Sequence, residues 1–327
     1  MKPAVAALGA GRMGRGIALA FACAGQHVLL IDAKERSEEA FARLRADALR
    51  DMEAQLAVLI SIGLLPQGAR DKIVARIEIC SREDAEHWLP EVRLLFEGVP
   101  EVMDAKSQAL SFACASLSAD AVVASTSSTF LSTALAGMVT HPARFLNAHW
   151  LNPAHLIPLV ELSPHPGTDP AVTQRLRAML EQIGKSPVLC AASPGYIVPR
   201  LQVVLMNEAA RMIEEGVATA QDIDLATRYG FGLRYAAMGV VEFIDVGGND
   251  ILYYASRYLS GALKDARYAS PDIVERLMKG GHNGLRDGKG FYDWSSRNIE
   301  EYRRQSVAGL VDLLRIANCL PVMADAG

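Results

Sequence analysis

The chain has 327 residues, half of them hydrophobic and 21% charged, which is the balance of a soluble globular protein large enough for two cores. A net charge of -4 leaves no basic excess, so nucleic acid and anionic membrane are not expected partners. The longest apolar run, residues 56–65, is too short to span a bilayer.

In chain order, residues 4–8 read as a strand, 12–24 as a helix and 28–32 as a second strand. A long Ala/Leu/Arg/Glu helix is expected over 36–62. Strands follow near 76–80, 92–97, 121–125, 145–149 and 159–162, with helical stretches among them. Such alternation predicts βαβ units and a mostly parallel sheet. "GIALAFACAG" (16–25) has the composition of a signal-peptide core, but it follows a glycine loop and precedes a strand, so a buried helix is expected.

After "SPGYIVPR" (193–200) the strands stop. Helical periodicity continues over 197–214, 220–229, 237–246 and 250–263, with Gly216, Gly230 and Gly247 as helix ends. Residues 298–318 read as one more amphipathic helix. The domain boundary is placed near Ala192, dividing 1–192 from 193–327. The five cysteines, Cys23, Cys80, Cys114, Cys190 and Cys319, form no CxxC pair and are expected to be buried, reduced thiols of a cytoplasmic protein. No His/Cys/Asp cluster has ligand spacing, so no metal is expected.

"LGAGRMG" sets Gly9, Gly11 and Gly14 in a GxGxxG pattern between a strand and a helix, with Met13 inside it. Glycines there permit a tight turn, close backbone approach to a pyrophosphate and close helix–strand packing. Asp32 ends the next strand, where a carboxylate can accept hydrogen bonds from an adenosine ribose. Together they predict a dinucleotide site for NAD, since Asp32 would repel the 2'-phosphate of NADP. Lys34 and Arg36 lie close enough to oppose that preference.

"HWLNPAHLIPLVE" (149–161) places a histidine and a carboxylate twelve positions apart, the carboxylate closing an apolar run. On spacing alone, His149 reads better as a satisfied core histidine than as a base held by Glu161. "ASTSSTF" (124–130) offers five hydroxyls from Ser125 to Thr129, compatible with an ordinary capped turn. His155 and His165 read as a surface residue and a turn residue, and Asn152 as a support for the turn before Pro153.

Taken together, the glycine loop, "FEGVPEVMDAK" (96–106), "ASTSSTF", "HWLNPAHLIPLVE", "PGYIVPRL" (194–201) and "GLRDGKGFYDW" (284–294) resemble the L-3-hydroxyacyl-CoA dehydrogenase family, including its L-gulonate 3-dehydrogenase and lambda-crystallin branch. The likeness covers nearly the whole chain. It implies a Rossmann-type α/β dinucleotide-binding domain followed by an all-α C-terminal domain, NAD as cofactor, and a homodimer. By the same resemblance, His149 is the general base, Glu161 its orienting partner and Ser128 a donor to the reacting oxygen. Glu101 and Lys106 fall on positions lining the nicotinamide side.

Three departures from the family pattern stand out. Pro199 occupies a position where the family carries an asparagine beside substrate and cofactor, which leaves Asn207 or Arg200 to replace its hydrogen bond. Residues 51–69 hold no Lys or Arg, where family members acting on CoA thioesters carry lysines. The cations of that helix lie earlier, at Arg43, Arg45 and Arg50. Arg234 sits in an apolar helix approach, either to hold a free substrate carboxylate or to pair with Glu242 or Asp245.

The resemblance therefore implies an NAD-dependent dehydrogenase of fatty acid metabolism that interconverts an L-3-hydroxyacyl compound and its 3-keto form. A short 3-hydroxyacyl-CoA is the leading substrate and a free 3-hydroxy acid such as L-gulonate the alternative. A non-catalytic, crystallin-like NAD-binding structural protein is the alternative from a different class. Retention of Ser128, His149 and Glu161 together argues against it.

Overall fold

In the computed structural model, which describes residues 3–322, the strands fall where apolar runs of the sequence end in polar residues. The outermost residues of both expected domains, 1–2 and 323–327, lie outside the described residues. Contact density divides the chain into two compact units, Met1–Leu205 and Met206–Gly327.

The first unit begins with β1 (Val5–Leu8), α1 (Arg12–Cys23), β2 (Val28–Ile31) and α2 (Glu38–Ser61). Ser37 caps α2 through its hydroxyl, with Glu38 and Glu39 in the first turn, where carboxylates favour the positive helix end. Next come α3 (Ala69–Val74), β3 (Ile77–Cys80), α4 (Arg82–Trp88), β4 (Leu94–Glu97), α5 (Met103–Ser116), β5 (Val122–Ser125), α6 (Ser132–Leu135) and β6 (Phe145–Trp150). The unit closes with β7 (Leu159–Pro164), α7 (Pro170–Gln182) and β8 (Ser186–Leu189), and it includes the start of α8 (Val198–Glu214).

One 8-stranded sheet has the order β3-β2-β1-β4-β5-β6-β7-β8. Every pairing is parallel except β6 with β7. The central strands are buried on both faces, which is why they read as continuous apolar runs. Leu8, Ile17, Leu30, Phe96 and Trp150 are almost wholly buried, each stabilising the core by about 1.5–3 kcal/mol. The strand order reverses direction between β1 and β4, the position at which open α/β sheets bind ligands beyond the strand C-termini.

The second unit contains α9 (Ala220–Ala226), a π-helical stretch (Thr227–Gly232), α10 (Leu233–Ala237), α11 (Val240–Gly247), α12 (Asn249–Leu263), α13 (Asp272–Lys279) and α14 (Ile299–Ile316). Its organising feature is Asp245, 1% exposed, which accepts hydrogen bonds from Phe291 N (2.9 Å), Tyr292 N (2.8 Å) and Trp294 Nε1 (2.9 Å). A Cβ on Gly290 would lie 2.2 Å from Asp245 Oδ1, and one on Gly284 2.1 Å from Asp245 O. The "GLRDGKGFYDW" motif is thus a cradle around one buried carboxylate.

Four expectations need correction. β8 is a further strand, at the sheet edge, where Pro187 is tolerated because no further strand pairs beyond it. Gly230 does not end a helix, because winding continues through Gly230 and Gly232 as a π-turn into α10. The helix expected over 237–246 is interrupted, since α10 ends at Ala237 and α11 starts at Val240. Of the five free cysteines, only Cys80 is buried, and Cys23 is exposed.

Candidate active site

The glycine loop connects β1 to α1. Gly9 sits at φ +108° and Gly14 packs so tightly that a Cβ would fall 2.0 Å from Gly9 O. A Cβ on Gly11 would meet nothing within 4 Å. Gly14 therefore serves helix packing, while Gly11 faces open cleft at the helix N-terminus, where backbone N–H groups favour phosphate. That arrangement fits a dinucleotide.

The cleft, about 940 Å³, is lined by Gly9, Gly11, Met13, Asp32, Glu101 and Lys106, together with Ser128 and His149. Eight of the ten residues singled out for catalysis or cofactor binding thus share one wall. The other two, Gly14 and Glu161, lie just behind it. Pro199 is also on the wall, and Gln202, not Arg200, joins it there. Asn207 and Arg234 belong to the second unit. Arg234 pairs with neither Glu242 nor Asp245: its guanidinium lies over the Phe243 ring at 5.5 Å. Glu242 instead accepts from Gly239 N (3.3 Å) and Tyr302 OH (3.1 Å).

His149 and Glu161 are register partners on antiparallel β6 and β7. His149 Nδ1 lies 2.8 Å from Glu161 Oε2. Glu161 Oε1 accepts from Ile197 N (2.9 Å) and Val198 N (2.8 Å). Burial pushes the Glu161 carboxyl up, but the His149 hydrogen bond and the two amides outweigh it and hold the group below the ordinary carboxylate range. An ionised carboxylate only accepts, so Nδ1 carries the proton, and in the neutral ring Nε2 presents a lone pair.

Above this pair sits Tyr196, 5% exposed, its ring stacked on the imidazole with centroids 5.1 Å apart at 19°. Its hydroxyl donates to Ser127 O (2.7 Å) and accepts from Asn147 Nδ2 (2.8 Å). Burial, opposed by the Asn147 hydrogen bond, pushes the phenol up to about 12. Tyr196 follows Gly195 (φ +77°) and is itself left-handed at φ +44°, which costs a non-glycine residue about 1–2 kcal/mol.

The serine loop after β5 is organised by two acids. Glu101 accepts from Ser127 Oγ (2.9 Å), Ser128 Oγ (3.0 Å), Ser128 N and Thr129 N (3.1 Å). Burial raises the Glu101 carboxyl, and Lys106 with these hydrogen bonds brings it below its usual range. Glu97, fully buried at the end of β4, accepts from Val99 N (2.8 Å), Ser125 Oγ (2.5 Å) and Lys106 Nζ (3.1 Å). Lys106 Nζ also reaches Glu101 at 3.2 Å, so one buried ammonium lies between two carboxylates. Ser127 caps Phe130 N at 2.8 Å, which makes it the turn residue and leaves Ser128 facing the cleft.

Sequence reasoning missed Glu97, Tyr196, Asn147 and Lys185. Glu97 had a signal, being an acid that closes a buried apolar strand as Asp32 does after β2. Tyr196 had none, because its partners are 47 and 69 positions away in numbering. Lys185, 7% exposed, donates to Ala154 O (2.6 Å) and Ile157 O (2.8 Å) and so fastens the β6–β7 connection. Burial, partly offset by Cys23, lowers its pKa. His155 on that connection is also lowered by burial and by Lys185. His165 is a turn residue as expected, its Nε2 donating to Pro142 O (2.8 Å) and its Nδ1 accepting from Gly167 N (3.1 Å).

Comparison with known proteins agrees with this geometry. The profile for 3-hydroxyacyl-CoA dehydrogenase, NAD binding domain, matches residues 4–193, and that for the C-terminal domain of the same family matches 195–294. A lambda-crystallin homolog of Bos taurus is 36% identical over 264 residues, covering 79% of this chain and 78% of the relative. A 3-hydroxybutyryl-CoA dehydrogenase of Bradyrhizobium diazoefficiens is 30% identical, covering 89% and 94%. The crystal structure of a 3-hydroxyacyl-CoA dehydrogenase from Archaeoglobus fulgidus superposes with a TM-score of 0.76 at 29% identity, covering 97% of this chain and 99% of that one. With both domain profiles matched in order over a sheet that opens on a dinucleotide cleft, the chain belongs to the 3-hydroxyacyl-CoA dehydrogenase family and is an NAD-dependent oxidoreductase acting on a CH–OH group.

Proposed function

We propose that the chain oxidises the C3 hydroxyl of a short L-3-hydroxyacyl-CoA, of the 3-hydroxybutyryl-CoA type, to the 3-keto thioester, and catalyses the reverse reduction. The observation that carries this reading is the oriented pair: Glu161 holds the Nδ1 proton of His149, leaving Nε2 as the acceptor on a cleft wall shared with Ser128. His149 takes the hydroxyl proton at Nε2 and becomes an imidazolium that Glu161 stabilises. Ser128 donates to the reacting oxygen, turning its hydroxyl from Glu101 toward substrate. Bound NAD supplies the hydride acceptor. Gly9, Gly11 and Met13 form its phosphate turn, with Gly14 packing the helix close behind them; Asp32 meets the ribose, and Glu101 and Lys106 order the nicotinamide side.

A free 3-hydroxy acid is the second reading, and two observations favour it. Arg43 and Arg50 on α2 already face Glu39 (4.0 Å) and Asp47 in their own helix, which leaves little cation for CoA phosphates. Arg234 has neither acid as partner and can offer its guanidinium fork to a carboxylate. Asn207, exposed on α8, is the further substrate candidate. The intact "GKGFYDW" motif favours the thioester.

An NAD-reduction screen across 3-hydroxyacyl-CoAs and free 3-hydroxy acids decides between them. Charge reversal at Arg43, Arg45 and Arg50 is expected to raise KM for the thioester, more at low salt than at high. Turnover of a free acid with none of 3-hydroxybutyryl-CoA, and a raised KM in Arg234→Lys, overturns the thioester reading. We also propose a homodimer divided functionally near residue 192. Val203, Val204 and Met206 on α8, all exposed, support the dimer, and sedimentation of the full chain tests it.

A further inference from the structure

Tyr196 stacks directly on His149 and is tied through neighbouring residues to Ser128 and Glu161. Its ring covers one face of His149, and its hydroxyl bridges Asn147, two residues before His149 on β6, to the carbonyl of Ser127, the residue before Ser128. The two peptide N–H groups that follow it hold Glu161. A side chain needed only to fill space would require no hydroxyl here, yet this one is buried and doubly hydrogen-bonded.

Resting on the reading of His149 as base, we propose that Tyr196 is a positioning residue for the dehydrogenase reaction. Its ring fixes the plane of the imidazole, and its hydroxyl fixes the backbone of the serine loop, so that Nε2 of His149 and Oγ of Ser128 meet the same substrate oxygen. The ring adds a second effect. The π face of a phenol attracts cations, so it favours the imidazolium formed during oxidation over the neutral imidazole. The other titratable groups around the pair are Glu161 on β7, Glu101 beside the serine loop and Cys190 after β8.

Two substitutions separate these effects. Tyr196→Phe keeps the ring and removes the hydroxyl. It is expected to lower kcat for oxidation by about three- to tenfold, less than the full worth of the two hydrogen bonds lost, with KM for NAD within about twofold and the pH profile in place. Tyr196→Leu removes both. It is expected to lower kcat by roughly thirtyfold or more and to move the acid limb of kcat/KM to lower pH by about half a unit. Thermal melting of each variant reports folding, and if the leucine variant does not fold the phenylalanine variant decides alone. Wild-type kcat in Tyr196→Phe overturns the proposal, as does a leucine variant whose losses fall wholly in KM with an unmoved acid limb. His149→Gln in the same assay keeps the two ideas apart. Near wild-type rate there removes the base reading itself, whereas a large loss there beside wild-type tyrosine variants removes only the role of Tyr196.

Discussion

Arg36 Nε lies 2.5 Å from Asp32 Oδ2, so the carboxylate proposed to meet the adenosine ribose is already engaged by a cation. Asp32 Oδ1 also accepts from Lys34 N at 3.2 Å. The arginine therefore offsets part of the repulsion that Asp32 exerts on a 2'-phosphate. NAD is still expected to be preferred over NADP by at least roughly tenfold in kcat/KM, about 1.4 kcal/mol, because Asp32 is buried and Arg36 is only half so. Asp32→Ala should erase that preference by leaving Arg36, Lys34 and Arg82 facing the site. Equal kcat/KM for both cofactors in the wild type would show that the cations dominate.

Replacing His149 with Gln should lower kcat by about two to four orders of magnitude while NAD still binds, since a general base contributes that much. Glu161→Gln should cost less and shift the pH–rate profile, because the carboxylate orients and stabilises without accepting the transferred proton. Stopped-flow or steady-state NADH absorbance reads both. A larger loss in Glu161→Gln than in His149→Gln would reverse the assignment.

The depressed pKa of Glu161 also predicts a pH dependence of stability. Its carboxyl titrates below its ordinary value of 4.5 in the folded chain, so the unfolded chain binds the proton more readily. The resulting stabilisation is fully present above pH 4.5 and is lost as pH falls through the lower folded value. Glu161→Gln should flatten this acid limb in denaturant titrations between roughly pH 6 and 3, relative to wild type. An unchanged limb would mean that other carboxylates carry the acid sensitivity.

Asp245→Ala should strand three donors, the buried Trp294 Nε1 and the part-buried Phe291 N and Tyr292 N. At about 1–3 kcal/mol for the buried indole donor and less for the two part-buried amides, the loss in unfolding free energy is expected to be about 2–4 kcal/mol. Gly290→Ala should approach it, since its Cβ would meet the Asp245 carboxylate at 2.2 Å. Chemical denaturation followed by tryptophan fluorescence checks both, and a cost below about 1 kcal/mol would show that the cradle rearranges freely.

How much of this was legible in the chain follows from where the information lies. The glycine loop, Asp32 and the strands β1 to β7 are local patterns, and they read to within about two residues. β8 escaped because Pro187 suppresses the strand signal that an edge position tolerates. The π-turn escaped because Gly230 and Gly232 look like helix stops. The buried chain of Glu97, Lys106 and Glu101 was half visible, since Glu101 and Lys106 entered through family likeness and Glu97 only through the sheet. Tyr196 depends on two left-handed residues in succession and on tertiary partners, neither of which leaves a periodic trace.

His149 and Glu161 face each other because β6 and β7 are antiparallel, with Trp150 opposite Val160 as the next pair along. Their separation is therefore set by the strand spacing of about 4.7–4.9 Å, and the length of the connection between the strands does not enter. Residues 151–158 can lengthen or shorten without moving the pair, provided the strands keep step. A slip of one position in either strand would instead put the histidine and the glutamate on opposite faces of the sheet. A connection that borders the cleft at Leu151 and Asn152 can thus vary while the facing of His149 and Glu161 stays under the control of strand register.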